Sequence, residues 1–402
     1  MSNSPTPSRS LLFLLVAMTA LGEVSTQLII PGLGGIEQAL AAPAGSVLLA
    51  LSAFVAAFGL GQLLFGPLSD RIGRRPVLIG GLLLYVLATL WMLLVSSIGE
   101  FIAARVLQGL GACAALVLAR TVVRDVWKAE AGPALALTMI GMLYAIVVAP
   151  MIGGLLIKFM GWRAPIILTL CIGVVVLLVA LLSFRESNAN LDPKAGHWKT
   201  LAGQYLDLLK GRGYRTYAVT LACTYGAMFA VIAGSSAVYI NLLGLSSLQY
   251  GVNFGCMVSM LIVGSTFTRR KILHWGPERI VATGVTLVAI GGISLVVIYN
   301  VFGLSVLGLD LPIALVTLGG GLVLPGSVTG GVMPNAHRAG LAAGLMGFSQ
   351  MFGATASGFL LSHLRDGSAT PMIMLSGGFA VAAFVAFHLL RTRKVVLAPA
   401  AE

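Results

Sequence analysis

The chain has 402 residues, 58% of them hydrophobic and only 9% charged, about a third of the charged share of an average soluble domain. A water-facing surface cannot be built from that composition, and the apolar stretches are continuous rather than alternating, which excludes an outer-membrane barrel. The formal net charge of +12 sits mostly in short loops between apolar runs, where it sets topology and does not point to a nucleic-acid partner.

In chain order, apolar runs at about 11–31, 45–67, 77–97, 101–123, 133–157, 164–184, 214–240, 248–268, 279–300, 306–327, 338–361 and 371–390 predict twelve membrane-spanning helices. The fold class is therefore all-α integral membrane. The first run follows a single basic residue, Arg9, and lacks an A-x-A cleavage pattern, so it reads as a retained helix. The polar interval 185–213 divides the chain into an N-terminal six-helix bundle (1–184), a central cytoplasmic loop and a C-terminal six-helix bundle with a short cytoplasmic tail (214–402). Arg9, Arg120, Lys194, Lys199, Lys210, Arg393 and Lys394 belong to 21 Lys and Arg on one side, against Lys158, Arg163 and Arg365 on the other. That imbalance predicts that both termini are cytoplasmic. Cys113, Cys171, Cys223 and Cys256 all lie in apolar segments without metal-ligand spacing, so neither disulfides, a metal nor a cofactor is expected.

A weak repeat supports the division. The loop after span 2, GPLSDRIGRRPVLIGG, and the loop after span 8, TRRKILHWGPERIVATG, each place a basic turn with Gly and Pro at the matching point of their half. Such a repeat predicts two pseudo-symmetric bundles with a site at their interface.

Within the spans, Glu23 is the one acid deep in an apolar run, roughly 18 Å into a core about 30 Å thick. Thr19, Glu23 and Gln27 share one helical face, so a polar stripe points into the bundle. A carboxylate out of water there can take a proton from one side and release it to the other as its surroundings alternate. Arg105 lies one turn inside span 4, where a guanidinium costs about 2.5–3.5 kcal/mol at the membrane centre, so it needs a partner, an aqueous cavity or a route to the interface. In span 5, Gly141, Ala145, Ala149, Gly153 and Gly154 form a small-residue surface beside Pro150, suited to close helix approach. Phe58, Gln108, Tyr144, Tyr239 and Gln350 are further candidates for lining a substrate pocket with Glu23 and Gln27, among a wider set that includes Phe54, Tyr225, Asn253 and Met351.

Three strings carry a family resemblance. Gly66, Asp70, Gly73, Arg74 and Arg75, with Arg71 between them, match G-x-x-x-D-x-x-G-R-[RK], the signature between spans 2 and 3 of the major facilitator superfamily. The resemblance implies that this loop latches the two bundles on the cytoplasmic side. Arg105-Val-Leu-Gln108-Gly109-Leu-Gly111-Ala resembles the family's span-4 signature, whose arginine is linked to proton coupling. Span 5 resembles the antiporter signature G-x-x-x-G-P-x-x-G-G, with Ala145 and Ala149 in place of two glycines, a departure that leaves plain helix packing as its alternative role.

Ser25-Thr-Gln27-Leu-Ile-Ile-Pro31 and Ala339-Gly-Leu-Ala-Ala-Gly-Leu-Met-Gly-Phe-Ser-Gln350 further resemble strings of the Bcr/CflA-type drug exporters. Where that group has an aspartate four residues before the proline, this chain has Gln27, and its acid stands one turn earlier as Glu23. Migration of the carboxylate along the same face is the favoured reading, a different coupling the alternative.

The resemblance implies a proton-coupled exporter in a bacterial inner membrane, acting on small lipophilic neutral or monocationic compounds by alternating access. Glu23 and Arg105 would couple protons, and the proton gradient would supply the energy. The expected partners are a small-molecule substrate, protons and the lipid bilayer, with the protein a monomer. The alternative is an exporter dedicated to one metabolite, such as a siderophore or an amino-acid derivative. A membrane-embedded enzyme or sensor is disfavoured, since no span carries paired histidines, a nucleophile with a base, or two carboxylates, and no nucleotide-binding loop is present.

Overall fold

The structure, a computed structural model, describes residues 8–43, 45–188, 191–193 and 198–391. Lys194, Arg393 and Lys394 of the charge count lie outside them, as does the side chain of Lys199. The described elements are α1 (Arg9–Gln27), a short α2 (Leu33–Ala39), α3 (Ser46–Ile72), α4 (Arg74–Leu94), α5 (Ile98–Trp127), α6 (Ala131–Met160), α7 (Arg163–Ser183), α8 (Trp198–Lys210), α9 (Arg212–Ser236), α10 (Ser247–Phe302), α11 (Val306–Val332), α12 (Ala339–Leu364) and α13 (Thr370–Leu390).

Among the described residues, ten helical stretches are long and apolar enough to cross a membrane, and two of them are double-length, at 56 and 59 residues. A straight 56-residue helix would be about 84 Å long against an apolar core of about 30 Å, so each must turn back. In α10 the reversal is at Gly276, at φ 73° and ψ 162°, followed by Pro277. A left-handed glycine ends one arm, and proline starts the next without sacrificing a needed N–H. The two arms pass α11 in opposite senses. The Thr317 hydroxyl donates to the Met257 carbonyl at 2.9 Å while Gly321 meets Gly264, so that arm runs parallel; Gly284 meets Val323 while Gly291 meets Pro312, so the second runs antiparallel. The second double stretch turns between α11 and α12, where Met333–Arg338 form a 3-10 segment with non-helical Asn335. Twelve crossings result. Gly73, at φ 103° and ψ 155°, makes the matching one-residue reversal between α3 and α4, so the repeat seen in the sequence is a repeated turn geometry.

Helices α1 and α3–α7 pack on one another, α9–α13 do the same, and the two groups meet chiefly where α3 lies on α12 and α6 on α10. Large apolar side chains such as Phe13, Leu182, Leu273 and Phe302 are exposed around the outside, the surface a lipid-facing protein requires. The central polar interval is not simply a loop. It contains α8, whose Leu208 packs with Tyr214 and Leu345, and whose Tyr205 hydroxyl donates to the Leu63 carbonyl at 2.9 Å. Helix α8 carries no spanning signal in the sequence, because it is too short and too polar to cross a membrane.

Candidate functional site

Glu23 lies on α1 at the meeting of the two groups. It is partly buried and opens on a void of about 20 Å³, lined with Gln27 and Phe58 from the first group and Tyr225, Phe229 and Met351 from the second. That is room for about one water. The Gln27 amide faces Glu23 one turn away, and Gln27 Oε1 is buried without a hydrogen-bond donor. The Phe58 ring packs so tightly over Gly22 that a Cβ there would come within 2.7 Å of it. On the facing helices, the Tyr225 hydroxyl lies in reach of Gln350 and in the field of Glu23.

Arg105 does not run to the membrane interface. It is 1% exposed, with Nη1 donating to Gln108 Oε1 at 2.6 Å and to the Ser25 carbonyl at 3.4 Å, and with its guanidinium 4.1 Å from the centre of the Phe54 ring. Gln108 in turn donates to Thr89 Oγ1 at 2.8 Å, and Ser25 shares a 2.6 Å hydrogen bond with Tyr85. This network ties α1, α4 and α5 together behind Phe54, and the stacked cation recovers part of its desolvation cost from the ring face.

Of the predicted pocket residues, the structure thus gathers Glu23, Gln27, Phe58 and, through Tyr225, Gln350. It assigns Gln108 to the Arg105 network. Tyr144 is not brought to this crevice, being 62% exposed on α6. Nor is Tyr239, which belongs to a separate cluster where its hydroxyl donates to Asp310 Oδ1 at 2.6 Å beside Asn253, whose Nδ2 donates at 3.0 Å. Two ionisable residues were undervalued in the sequence. Arg120, counted there with the loops, is inside α5, its Nε buried without a partner and its charge in range of Glu23. Asp310 is inside α11. Both positions fell within predicted spans, 101–123 and 306–327, which was the available signal.

At one end of the molecule the signature loop forms an ionic cluster. Arg74, 6% exposed, donates from Nη1 to Asp70 and to Ser69 Oγ, the latter at 2.7 Å, and from Nε to Asp125 Oδ2 at 3.0 Å. Glu186 accepts the backbone N–H groups of Arg74 and Arg75 at 2.9 and 3.0 Å, capping the positive end of α4. Burial disfavours the Glu186 carboxylate, but the N–H groups of Asn188, Arg75, Arg74 and Ser187 outweigh it and hold Glu186 below the usual carboxylate range. Asp125 and Glu186 were not singled out in the sequence. All these partners belong to the first helix group or to the segment leaving it. Gly66 has open space beside it, and Arg71 and Arg75 are exposed, Arg75 donating to the Leu181 carbonyl at 3.2 Å.

The small residues of α6 let neighbouring backbones approach closely. A Cβ on Gly153 would strike the Leu28 carbonyl of α1's end, and one on Gly154 the Ser247 carbonyl of α10, across the two groups. Gly141 packs on Val16, Ala149 and Pro150 are buried, and Ala145 is partly exposed. At the end opposite the signature loop, a cavity of about 670 Å³ opens between the groups beside Pro31, Trp162, Ala237 and Ile240.

A family model described as the Major Facilitator Superfamily matches residues 12–358. The chain belongs to the major facilitator superfamily. It is 31% identical over 349 residues to multidrug resistance protein D of Escherichia coli (strain K12), covering 86% of each chain. It is 30% identical over 309 residues to a chloramphenicol resistance protein of Pseudomonas aeruginosa, covering 76% of this chain and 72% of that one. Among solved structures, the human organic anion transporter MFSD10 (TETRAN) superposes with a TM-score of 0.71 at 17% identity, over 96% of this chain and 100% of that one, a likeness of fold. As a superfamily member the chain is a membrane transporter rather than an enzyme, and the Bcr/CflA resemblance of its motifs stands beside relatives named for drug resistance.

Proposed function

We propose that this transporter is a proton-coupled exporter of small lipophilic neutral or monocationic compounds, drugs among them, that alternates access between its two bundles in a bacterial inner membrane with both termini cytoplasmic. The observation that carries the reading is Glu23, a carboxylate in an aromatic, apolar crevice made by both helix groups. There a proton and a cationic or neutral substrate compete for the same small volume, and exchange of one for the other is antiport. Glu23 is the charged side chain that lines the crevice, while Arg105 engages Gln108, the Ser25 carbonyl and Phe54 outside it, which favours cations over anions.

The size of the void supports alternating access. Drug-sized ligands need roughly 300–1,000 Å³, whereas the space at Glu23 is about 20 Å³ and that at the far end about 670 Å³. Substrate therefore reaches Glu23 only when the groups move apart. The Asp70–Arg74–Asp125 cluster would steady the cytoplasmic end during that motion.

The test is detergent-purified and reconstituted protein with chloramphenicol and a lipophilic monocation as probes. Glu23→Gln keeps size and hydrogen bonding but cannot titrate, so substrate-induced proton release and gradient-driven flux should both vanish while binding of the neutral probe survives. Uphill transport by Glu23→Gln under a proton gradient would refute the assignment.

A further inference from the structure

Among the described residues, one ion pair joins the two helix groups. Arg365, just past the end of α12, donates from Nη1 to both oxygens of Glu37 on α2, at 3.1 and 3.3 Å. The other ion pairs lie within the signature-loop cluster or within α8. Both side chains of the bridging pair are partly shielded, at 23% and 14% exposure, and both line the 670 Å³ cavity. Glu37 Oε1 also accepts the backbone N–H of Gly45 at 2.5 Å. Gly45 has a φ of 85°, and a Cβ there would come within 2.9 Å of the Ser362 carbonyl of α12. The loop between α2 and α3 is thus drawn onto the end of α12 by one carboxylate that serves both a cation and a backbone donor.

Elsewhere along the same seam the contacts are of another kind. Gly154 against Ser247 and Gly251 against Pro150 are backbone approaches of small residues. Such surfaces separate and re-form without stranding a charge, whereas the Glu37–Arg365 contact is directional and must be broken as a unit. We propose that Glu37 and Arg365 are the gate of the far-end vestibule: paired, they hold its mouth narrow, and their separation is the step that opens the path through which substrate leaves. The proposal rests on the transport reading for its role in the cycle, but the geometry of the gate does not depend on proton coupling or on Glu23.

Thiol accessibility tests the gate in purified full-length protein, without substrate or proton gradient. Cys113, Cys171, Cys223 and Cys256 are replaced by alanine or serine, and Ser236→Cys, on α9 in the cavity wall, reports access to a maleimide. Glu37→Gln and Arg365→Gln should each raise the labelling rate about threefold or more, since losing the pair shifts the population toward the open mouth. Arg365→Lys, which keeps the charge, should stay near the parent rate. An unchanged rate in both neutral variants overturns the gate. So does acceleration by Glu37→Gln alone, because the mouth would then stay narrow without Arg365. Size-exclusion profiles and thermal unfolding of each variant confirm that labelling reports opening and not collapse. Retained uphill transport in Glu23→Gln would refute the functional reading and leave the labelling result standing, whereas unchanged labelling in the Glu37 and Arg365 variants would refute the gate and leave the Glu23 result standing.

Discussion

Replacing Arg74 by methionine removes the charge at the centre of the signature-loop cluster while keeping most of the side-chain volume. The guanidinium is nearly sealed, and its Nη1 and Nε atoms serve Asp70, Ser69 and Asp125. Stranding one member of a fully buried pair costs about 3–5 kcal/mol. Here the side chain of Asp70 is 48% exposed and that of Asp125 is 24% exposed and still accepts from Ser187 Oγ at 3.2 Å, so water and a hydroxyl recover part of the loss. The expected destabilisation is about 2 kcal/mol, a drop of about 4–8 °C in unfolding temperature if the first six-helix bundle unfolds as a unit. It is measured at fixed scan rate in detergent, because unfolding of such a protein is a rate process. Asp70→Asn combined with Arg74→Met should cost less than the two changes summed, since the stranded carboxylate is gone. If Arg74→Met unfolds within about 1 °C of the parent, the cluster is not holding α3, α4 and α5 together, and the reasoning fails.

Asp70→Asn alone should slow transport while leaving substrate affinity within about threefold, because Asp70 is far from the Glu23 crevice; binding and flux measured on the same preparation decide this, and equal losses would contradict it. Gly154→Leu should cut flux about tenfold or more while the protein still purifies, since its side chain would meet the Ser247 backbone and prise α6 from α10. Glu186 is held below its ordinary range, so the stability it adds is fully present above the unfolded value and is lost as pH falls through the depressed one; unfolding followed from about pH 6 to about pH 3 should lose part of this acid sensitivity in Glu186→Gln. Reporter fusions after Lys210 and after Lys394 should both show cytoplasmic activity, and periplasmic activity at either would reverse the orientation.

What the sequence determined by itself is whatever depends on local composition. Twelve crossings could be read because each span must satisfy its backbone internally and face lipid with apolar side chains, and both requirements are local. Glu23 stood out for the same reason, as a lone acid in an apolar run, and Gly73 and Gly276 because a reversal in one residue needs a residue free to take positive φ. Partnership was left to the tertiary structure. Arg105 could have run to the interface or turned inward; only the packing of α1 and α3 on α5 placed the Ser25 carbonyl and Phe54 where they hold it. Arg120, Asp125, Glu186 and Asp310 looked like ordinary charges at span ends until helices distant in sequence brought them against Glu23, Arg74, the start of α4 and Tyr239. Tyr144 and Tyr239 are equally plausible pocket residues by type, and neither reaches the crevice, because the face a side chain takes on a wholly apolar helix is set by its neighbours and not by any periodicity of its own. The bridge from Glu37 to Arg365 spans 328 positions of sequence and was likewise decided only when the two helix groups met.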